Sequence, residues 1–391
     1  MTRRRILSFN DYYIPASDVG GPVTSIHNAV KALSEEFEFY IEAYNHNYSD
    51  RTPFAGIELH RWYEVGQAHV IYNENGYLDF KYKRMKEFLE EVQPDLLWFA
   101  GLLMPHKLHN AIRLAEKMNI PVLISPRGEA SADRMALKGY KKYPYAVLVN
   151  LMGIYQKKNV FFHATSDDEI EGLKSFFHIK ESRITKVANI GVTGERRHEG
   201  CKKESGKVRA MFLSRIHEVK NLDYAISAFS KLKLAGEFHI YGPIESREYW
   251  SQCERLIKKA PAHVTIKYCG KVKPEAVGEV YRKYDCFLFP TMNENYGHVI
   301  AEALANSCPV ILSKGTTPWD DIDGRAGFVC DLKDMEKFTD ALTEIAKMDS
   351  EQFEGFMENT YLYYQEKTAD DDAVVGHRRM FREIIEGFRE K

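Results

Sequence analysis

The chain has 391 residues and a formal net charge of −2, with 44% hydrophobic and 28% charged residues. This length exceeds what a single hydrophobic core usually supports and predicts two domains, and the near-neutral charge gives no reason to expect a nucleic-acid partner. No apolar run approaches the ~20 residues that a membrane-spanning helix needs.

The N-terminal sequence MTRRRILSFN lacks the long apolar core and cleavage site of a secretory signal. The six cysteines form no CxxC pair, so the sequence offers no zinc site. These features favour a cytoplasmic protein whose cysteines are reduced and buried.

Strand-like and helix-like segments alternate in the N-terminal half. Apolar runs predict strands at 4–10, 37–44, 95–100, 120–126, 161–166 and 184–190, and helical spacing of apolar residues predicts helices at 23–34, 80–92, 107–118 and 169–177. The polar, glycine-bearing segment 191–207 has no periodicity and predicts a linker.

The alternation resumes after this linker. Strands are predicted at 208–214, 238–242, 264–270, 286–290 and 310–313, and helices at 222–232, at 274–284, from about 297 onward, and over the last ~20 residues. Such alternation is typical of parallel sheets covered by helices on both faces. The sequence therefore predicts an α/β protein with two Rossmann-like domains.

The segment PTMNENYGHVIAEALANSCPV (290–310) joins two predicted strands through a loop and a helix. Ligands of open parallel sheets bind beyond the carboxyl ends of the strands, where this loop lies. The helix is expected to start near Gly297 or His298. Its first amides carry partial positive charge that suits phosphate, and Gly297 allows close approach of the backbone.

Two acids, Glu294 and Glu302, flank this turn. A carboxylate accepts hydrogen bonds from paired hydroxyls, so the acids suit a ligand with a sugar at each end of a diphosphate, which is a nucleotide sugar. The alternative is that both acids are solvated residues of a loop and a helix.

A second strand–loop–helix unit, FLSRIHEVKNLD (212–223), places Arg215 directly after a strand and Lys220 just before Asn221, a candidate N-cap. Two cations at the carboxyl end of a strand suit a diphosphate. The alternative is a pair of exposed basic residues on a loop.

Together these segments resemble retaining glycosyltransferases of the GT-B fold, closest to glycosyltransferase family 4. The resemblance covers most of 208–330 through FLSRIHEVKNLD, YGPIE, YCGKV, FLFPTMNENYGHVIAEALANSCPVILS and AGFV, and extends more loosely to GGP, SPRGE and FHATSDDE in the N-terminal half. In SPRGE and GTTPWDD the chain is similar to bacterial transferases that build capsule or lipopolysaccharide chains.

The resemblance implies a GT-B fold in which two Rossmann-like domains face a central cleft. The expected domains are an acceptor-side domain at 1–195, joined by a C-terminal helix at 373–391, and a nucleotide-sugar donor domain at 205–372. The expected reaction transfers a sugar, with retention, from a UDP- or GDP-linked donor to a glycan or lipid-linked acceptor in cell-surface polysaccharide biosynthesis.

The resemblance also implies roles for individual residues. Arg215 and Lys220 would hold the donor diphosphate, and with Glu294, which would contact the transferred sugar, they form the expected catalytic set. Glu302 would bind the ribose hydroxyls. The other expected donor-binding residues are Tyr296, Gly297, His298, Val299, Gly20 and Gly21.

Similar transferases generally need no metal ion, and no DxD-like pair follows a predicted strand, so neither a metal nor another cofactor is expected. Many of them carry a histidine where this chain has Arg127 within SPRGE. Because arginine stays protonated, it cannot act as a base. Arg127 is therefore interpreted either as a group that binds phosphate or an anionic acceptor, or as a structural ion-pair residue. Glu129 and His163 are the other acceptor-side candidates, and the apolar neighbours of His163 also fit a core position.

The segment 134–162 contains several lysines among aromatic and aliphatic residues, and it contains no acid. A basic, aromatic helix can dock on anionic lipid. That would suit a lipid-linked acceptor and a peripheral position at the inner face of the cytoplasmic membrane. The alternative is an ordinary helix with solvated lysines.

Two other functions fit the same pattern. A nucleotide-sugar epimerase of the same fold would alter the donor without an acceptor. A sugar-nucleotide-binding subunit without catalytic activity is also consistent with the arginine at position 127.

Overall fold

The computed structural model describes residues 3–16, 21–48, 50–74, 82–136, 139–192, 194–196, 203–273, 276–294, 296–369 and 372–389. The chain divides into two compact units. Unit 1 comprises Met1–Ile190 and Asp371–Lys391, and unit 2 comprises Gly191–Asp370. The sequence places these boundaries at 195–205 and at 372–373. Parts of the expected linker, residues 193 and 197–202, lie outside the described residues.

Unit 1 is built on an eight-stranded sheet. Its strands are β1 (Arg4–Phe9), β2 (Phe37–Tyr44), β3 (Trp62–Val65), β4 (Ala68–Asn73), β5 (Leu96–Ala100), β6 (Val122–Ser125), β7 (Val160–Ala164) and β8 (Ile184–Lys186). The strand order is β3-β4-β2-β1-β5-β6-β7-β8, and all neighbours are parallel except β3 and β4. The residues of β6 are all buried, as expected for a parallel strand covered on both faces.

Helices connect these strands. They are α1 (Gly21–Leu33), α2 (Tyr82–Val92), α3 (Pro105–Lys117), α4 (Ala132–Ala136), α5 (Gly139–Leu151) and α6 (Asp167–Phe177). The start of α6 follows directly from its sequence, because the Ser166 side chain accepts a hydrogen bond from the amide of Glu169 and three acids occupy the first turn.

Unit 2 has a six-stranded, fully parallel sheet with the order β11-β10-β9-β12-β13-β14. The strands are β9 (Lys207–Leu213), β10 (Ala235–Tyr241), β11 (Val264–Gly270), β12 (Cys286–Phe289), β13 (Val310–Ser313) and β14 (Gly327–Cys330). The helices are α7 (Leu222–Ser230), α8 (Arg247–Ile257), α9 (Val277–Tyr281), α10 (His298–Ala305), α11 (Met335–Lys347) and α12 (Ser350–Ala369). Because β9 and β12 are neighbours, their carboxyl ends open side by side.

The last helix, α13 (Asp372–Arg389), belongs to unit 1. Its Phe381 ring packs 5.4 Å from the ring of Phe37 and 5.5 Å from that of Trp98, measured between centroids. This contact continues the aromatic core on one face of the unit 1 sheet.

The structure differs from the expected elements in a few places. The prediction lacks the antiparallel pair β3–β4, the strand β14 and the helices α8, α11 and α12. The helix expected at 274–284 is the shorter α9, with 274–275 outside the described residues. Within the described part of the chain, every helix is too short or too polar to cross a bilayer.

Candidate functional site

Two loops of unit 2 meet beyond the carboxyl ends of β9 and β12. The amide of Met292 donates to the carbonyl of Val219 at 2.9 Å, and the side-chain amide of Asn221 donates to the carbonyl of Pro290 at 2.9 Å. Asn221 adopts a left-handed backbone conformation, and its side chain makes no capping hydrogen bond. Asn221, which is expected to cap the helix, instead connects the two loops through this side-chain hydrogen bond.

Lys220 and Glu294, one from each loop, form a direct ion pair. Both side chains are largely buried, at 8% and 18% exposure. The Glu294 amide donates to the carbonyl of Thr316 at 2.8 Å, which fixes its loop to the segment after β13. A predicted phosphate-binding cation and a predicted sugar-binding acid therefore already touch, although 73 residues separate them in the sequence.

Arg215 is also paired with an acid. Its Nη1 donates to Oε2 of Glu245 at 2.7 Å, and Glu245 follows β10, the strand on the other side of β9. Glu245 is not among the residues predicted from the sequence, although it is the last residue of YGPIE and lies at the same edge of the sheet. Each predicted phosphate-binding cation thus has a carboxylate beside it.

The turn before α10 has a left-handed backbone conformation at Gly297, as is common for glycine. Gly297 has φ 76°, and a Cβ at this position would lie 2.8 Å from Cδ1 of Ile300. The indole of Trp319 donates to the carbonyl of Tyr296 at 2.5 Å. Burial raises the pKa of Tyr296 to about 12, so this phenol is a neutral hydrogen-bonding group.

His298 and Val299 form the first turn of α10. The ring of His298 packs 4.7 Å from that of Tyr296, between centroids, and the carbonyl of Val299 accepts from the Tyr281 hydroxyl at 2.9 Å. Gly297 has no side chain that could cap the helix, so its first amides face the loop without such a cap.

Glu302 lies one turn inside α10. Among the described residues, no hydrogen bond or ion pair to its carboxylate is found, and burial raises its pKa to about 8. The neighbouring groups Tyr281 and Tyr364 are neutral phenols whose own pKa values are raised by burial. A partly buried acid without a partner among the described residues is costly, so Glu302 is a candidate for a ligand contact.

The candidate residues of unit 1 are Gly20 and Gly21, which are expected to bind the donor, and Arg127, Glu129 and His163, which are expected on the acceptor side. Gly20 lies outside the described residues, and Gly21 is the first residue of α1. The carboxylate of Glu129 accepts from the amides of Leu102 and Leu103 at 2.6 and 3.0 Å, which suits a residue that holds a loop.

His163 is completely buried on β7. Its ring nitrogens lie 3.0 Å from the Ser125 hydroxyl and 2.8 Å from the carbonyl of Val187, and burial lowers its pKa well below the usual range. Both ring nitrogens are thus occupied inside unit 1. The structure supports the core interpretation of His163 over a ligand-binding one.

No group of three or more His, Cys, Asp or Glu side chains suitable for a metal ion occurs among the residues that the structure describes. The site chemistry visible in unit 2 is therefore that of cations, carboxylates and backbone amides. The expectation that the reaction needs no metal ion remains a prediction from the sequence.

Comparison with known proteins is consistent with this chemistry. Residues 195–362 match the family model described as Glycosyl transferases group 1. An uncharacterized glycosyltransferase of Methanocaldococcus jannaschii is 21% identical over 94% of this chain and 95% of its own length. The O-antigen chain mannosyltransferase B of Escherichia coli is 22% identical over 36% of this chain and 37% of its own.

Solved structures resemble the whole chain. Sucrose-phosphate synthase from Thermosynechococcus elongatus has a TM-score of 0.72 and 14% identity, covering 98% of this chain and 100% of that one. HepE of Anabaena, in complex with UDP and glucose, has a TM-score of 0.70 and 11% identity, covering 98% and 99%. These similarities confirm the α/β class and the GT-B fold. Together with the group 1 match in unit 2, they support glycosyltransferase activity.

Proposed function

We propose that the chain is a retaining, metal-independent glycosyltransferase of family 4. It moves a sugar from a UDP- or GDP-linked donor to a glycan or lipid-linked acceptor in cell-surface polysaccharide biosynthesis. The family match supports the reaction class, and the complexes of HepE with UDP and glucose and with UDP-glucose make a uridine donor the first to test.

The contact between Lys220 and Glu294 is the observation that carries the donor assignment. Each of the two cations proposed to bind phosphate is paired with a carboxylate, Lys220 with Glu294 and Arg215 with Glu245. A diphosphate brings its own negative charge to the cations. Glu294 can then accept hydrogen bonds from sugar hydroxyls, which a carboxylate does well.

Catalysis in this proposal is electrostatic. As the bond between the sugar and the diphosphate breaks, negative charge grows on the leaving phosphate, and Arg215, Lys220 and the first amides of α10 stabilise it. These groups contribute most if they lie in place before the reaction. The hydrogen bonds that fasten the two loops together provide such preorganisation.

Ligand-induced thermal shift tests the donor site. Uridine and guanosine diphosphate sugars are screened against the wild type, Glu302→Ala, Lys220→Ala and the control Glu254→Ala, whose side chain is exposed on α8. We expect one class of donor to raise the Tm of the wild type and the control, with a much smaller rise in the two site variants. Equal responses in all four proteins would reject the site.

Product analysis separates the proposed reaction from its alternatives. Incubation of the stabilising donor with candidate acceptors should release nucleoside diphosphate and give a glycoside with the donor's anomeric configuration, read by NMR. An epimerised nucleotide sugar formed without acceptor would identify an epimerase instead. Donor binding with no turnover on any acceptor would favour the non-catalytic subunit.

The segment 134–162 supports a lipid-linked acceptor. Helix α5 and the residue after it expose six large apolar side chains at helical spacing: Tyr140, Tyr143, Val147, Leu148, Leu151 and Met152. Leu151 is 81% exposed and Tyr140 is 75% exposed. Exposed Lys141 and Lys158 lie in the same acid-free segment, and Lys138 lies outside the described residues. An apolar face among lysines suits an anionic bilayer better than a protein partner.

Vesicle sedimentation tests this surface. Vesicles with about 30 mol% phosphatidylglycerol should bind the wild type and the control Leu362→Glu, whose exposed leucine lies in unit 2, whereas Leu148→Glu/Leu151→Glu should lose binding. Binding should weaken as salt is raised. Lipid-independent dimers that the double variant abolishes would assign the face to a second copy and contradict membrane docking.

A further inference from the structure

Arg127 stands in an unusual backbone position at the carboxyl end of β6. Its φ is 54°, in the left-handed region that residues with side chains seldom occupy, and Gly128 follows with φ 89°. A left-handed backbone conformation is unfavourable for arginine, and such strain is found mostly at functional sites.

The guanidinium of Arg127 is incompletely satisfied. Nη1 donates to the side-chain carbonyl of Asn189. Nε and Nη2 are buried and have no hydrogen-bond partner among the described residues. The residue as a whole is only partly buried, although these two nitrogen atoms are buried. Nε and Nη2 carry the two parallel N–H bonds of one guanidinium edge, which is the geometry that a phosphate or carboxylate accepts.

No carboxylate hydrogen-bonds this cation in the described structure. The nearest candidate, Glu169, accepts from the amide of Gly128 and from the amide and hydroxyl of Thr165, both at 2.7 Å. Both carboxylate oxygens of Glu169 thus accept hydrogen bonds that connect the segment at Gly128 to the segment at Thr165. The ring of Trp98, 5.7 Å from Cζ of Arg127, provides a face but no acceptor for the N–H groups.

The histidines near Arg127 add no charge. His163 is occupied by Ser125 and by the carbonyl of Val187, and Nδ1 of His377 lies 2.7 Å from the carbonyl of Ala373. Burial, followed by the nearby positive charge of Arg127, keeps the pKa of both rings below the usual range. The surroundings of Arg127 thus contain neutral histidines and one carboxylate, Glu169, which is hydrogen-bonded to Gly128 and Thr165, while Nε and Nη2 of Arg127 have no partner among the described residues.

We propose that the Nε–Nη2 edge of Arg127 binds an oxyanion group, a phosphate or a carboxylate, carried by the acceptor substrate. Assigning the anion to the acceptor rests on the proposed glycosyl transfer, whereas the anion site itself does not. A buried N–H without a partner is costly, and a bidentate oxyanion recovers that cost. Arg127 is then a residue that selects anionic acceptors.

Thermal unfolding in the presence of small anions tests the site. The wild type is measured with about 20 mM inorganic phosphate or acetate, against chloride at the same ionic strength, and we expect at least one oxyanion to raise the Tm by about 2–4 °C. Arg127→Gln should abolish this rise, and Arg127→Lys should reduce it because an ammonium cannot offer a planar pair of donors. The control Arg113→Gln, at an exposed position of α3, should respond like the wild type.

The variants also separate a binding role from a structural one. Because the cation is buried with two unmade hydrogen bonds, Arg127→Gln should be at least as stable as the wild type in chloride. A lower Tm in chloride together with an unchanged oxyanion response would overturn the inference. So would the absence of any oxyanion response in the wild type, and either result would leave the donor site of unit 2 untouched.

Nucleotide sugars identify the carrier of the anion. If Arg127→Gln keeps the full thermal response to the stabilising donor, the oxyanion belongs to the acceptor. If that response is lost as well, Arg127 binds the donor diphosphate and the acceptor assignment is wrong. Failure of the proposed function would be visible separately, as a wild type that no sugar nucleotide stabilises.

Discussion

Replacing Glu302 with glutamine should stabilise unit 2, and the gain should grow as the pH rises. Burial raises the folded-state pKa of this carboxyl to about 8, against 4.5 for an ordinary glutamate. Below both values the carboxyl is protonated in the folded and the unfolded chain. As the pH rises between them, the unfolded chain releases the proton and the folded chain keeps it, so the wild type loses stability until the pH passes the folded value.

The size of the effect follows from the separation of the two pKa values. At about 1.4 kcal/mol for each pH unit, the full separation is equivalent to about 5 kcal/mol. Residual exposure of Glu302 and local relaxation reduce the expected gain to about 2–3 kcal/mol at pH 8 and above. For a unit of this size that gain raises the Tm by about 5–10 °C.

Calorimetric scans of the full chain at several pH values between 5 and 9 measure the difference. The Tm of Glu302→Gln minus that of the wild type should be near zero at pH 5 and largest at pH 8–9. Glu254→Gln, which removes an exposed glutamate of the same unit, should show no such trend. A difference between Glu302→Gln and the wild type that stays constant over this range would refute an unpartnered, buried carboxyl.

Three further outcomes are expected at the donor site. If ligand hydroxyls bind the ionised Glu302, the donor should bind about tenfold more tightly at pH 9 than at pH 7, and titration calorimetry should find this dependence lost in Glu302→Gln. Glu245→Gln removes the carboxylate that competes for Arg215, so its Kd for nucleoside diphosphate should fall about two- to fivefold, whereas a weaker complex would contradict the competition. Gly297→Ala should lower the free energy of unfolding in urea by about 1–2 kcal/mol and weaken donor binding, because the new Cβ would clash with Ile300 in a left-handed turn. Wild-type stability and wild-type donor affinity in this variant would disprove the role of Gly297 in bringing the backbone close to the donor.

The sequence predicts eleven of the fourteen described strands, chiefly where a buried parallel strand is an apolar run, and it misses β3, β4 and β14. Strand β2 is expected at 37–44 and occurs as Phe37–Tyr44, and β13 is expected at 310–313 and occurs as Val310–Ser313. Strand β3 is different. It is a short edge strand with no fully buried residue, so its sequence carries neither an apolar run nor a clear alternation.

The candidate site is predictable in its residue types but not in its pairings. Motif position locates Lys220 and Glu294 at neighbouring strand ends, but their ion pair depends on how two loops are fastened across the edge of the sheet. The side chain of Asn221 shows the difficulty, because its position before a helix predicts a cap and its contact with the Pro290 carbonyl is tertiary. Glu245 could not be selected from the sequence because an acid after a strand is common, and its ion pair with Arg215 is visible only in the structure.

Two charged side chains differ from the others in the site because hydrogen-bond partners for them are missing among the described residues. Among the described residues, Glu302 in unit 2 is a partly buried acceptor without donors, and Arg127 in unit 1 has a buried pair of donors without an acceptor. Each lowers the stability of the ligand-free chain, and a protein retains such costs chiefly where a ligand recovers them. Glu302 accepts hydrogen bonds and therefore suits hydroxyl groups, whereas Arg127 donates them and therefore suits an oxyanion. A transferase that joins a hydroxyl-rich donor to an anionic acceptor would satisfy both.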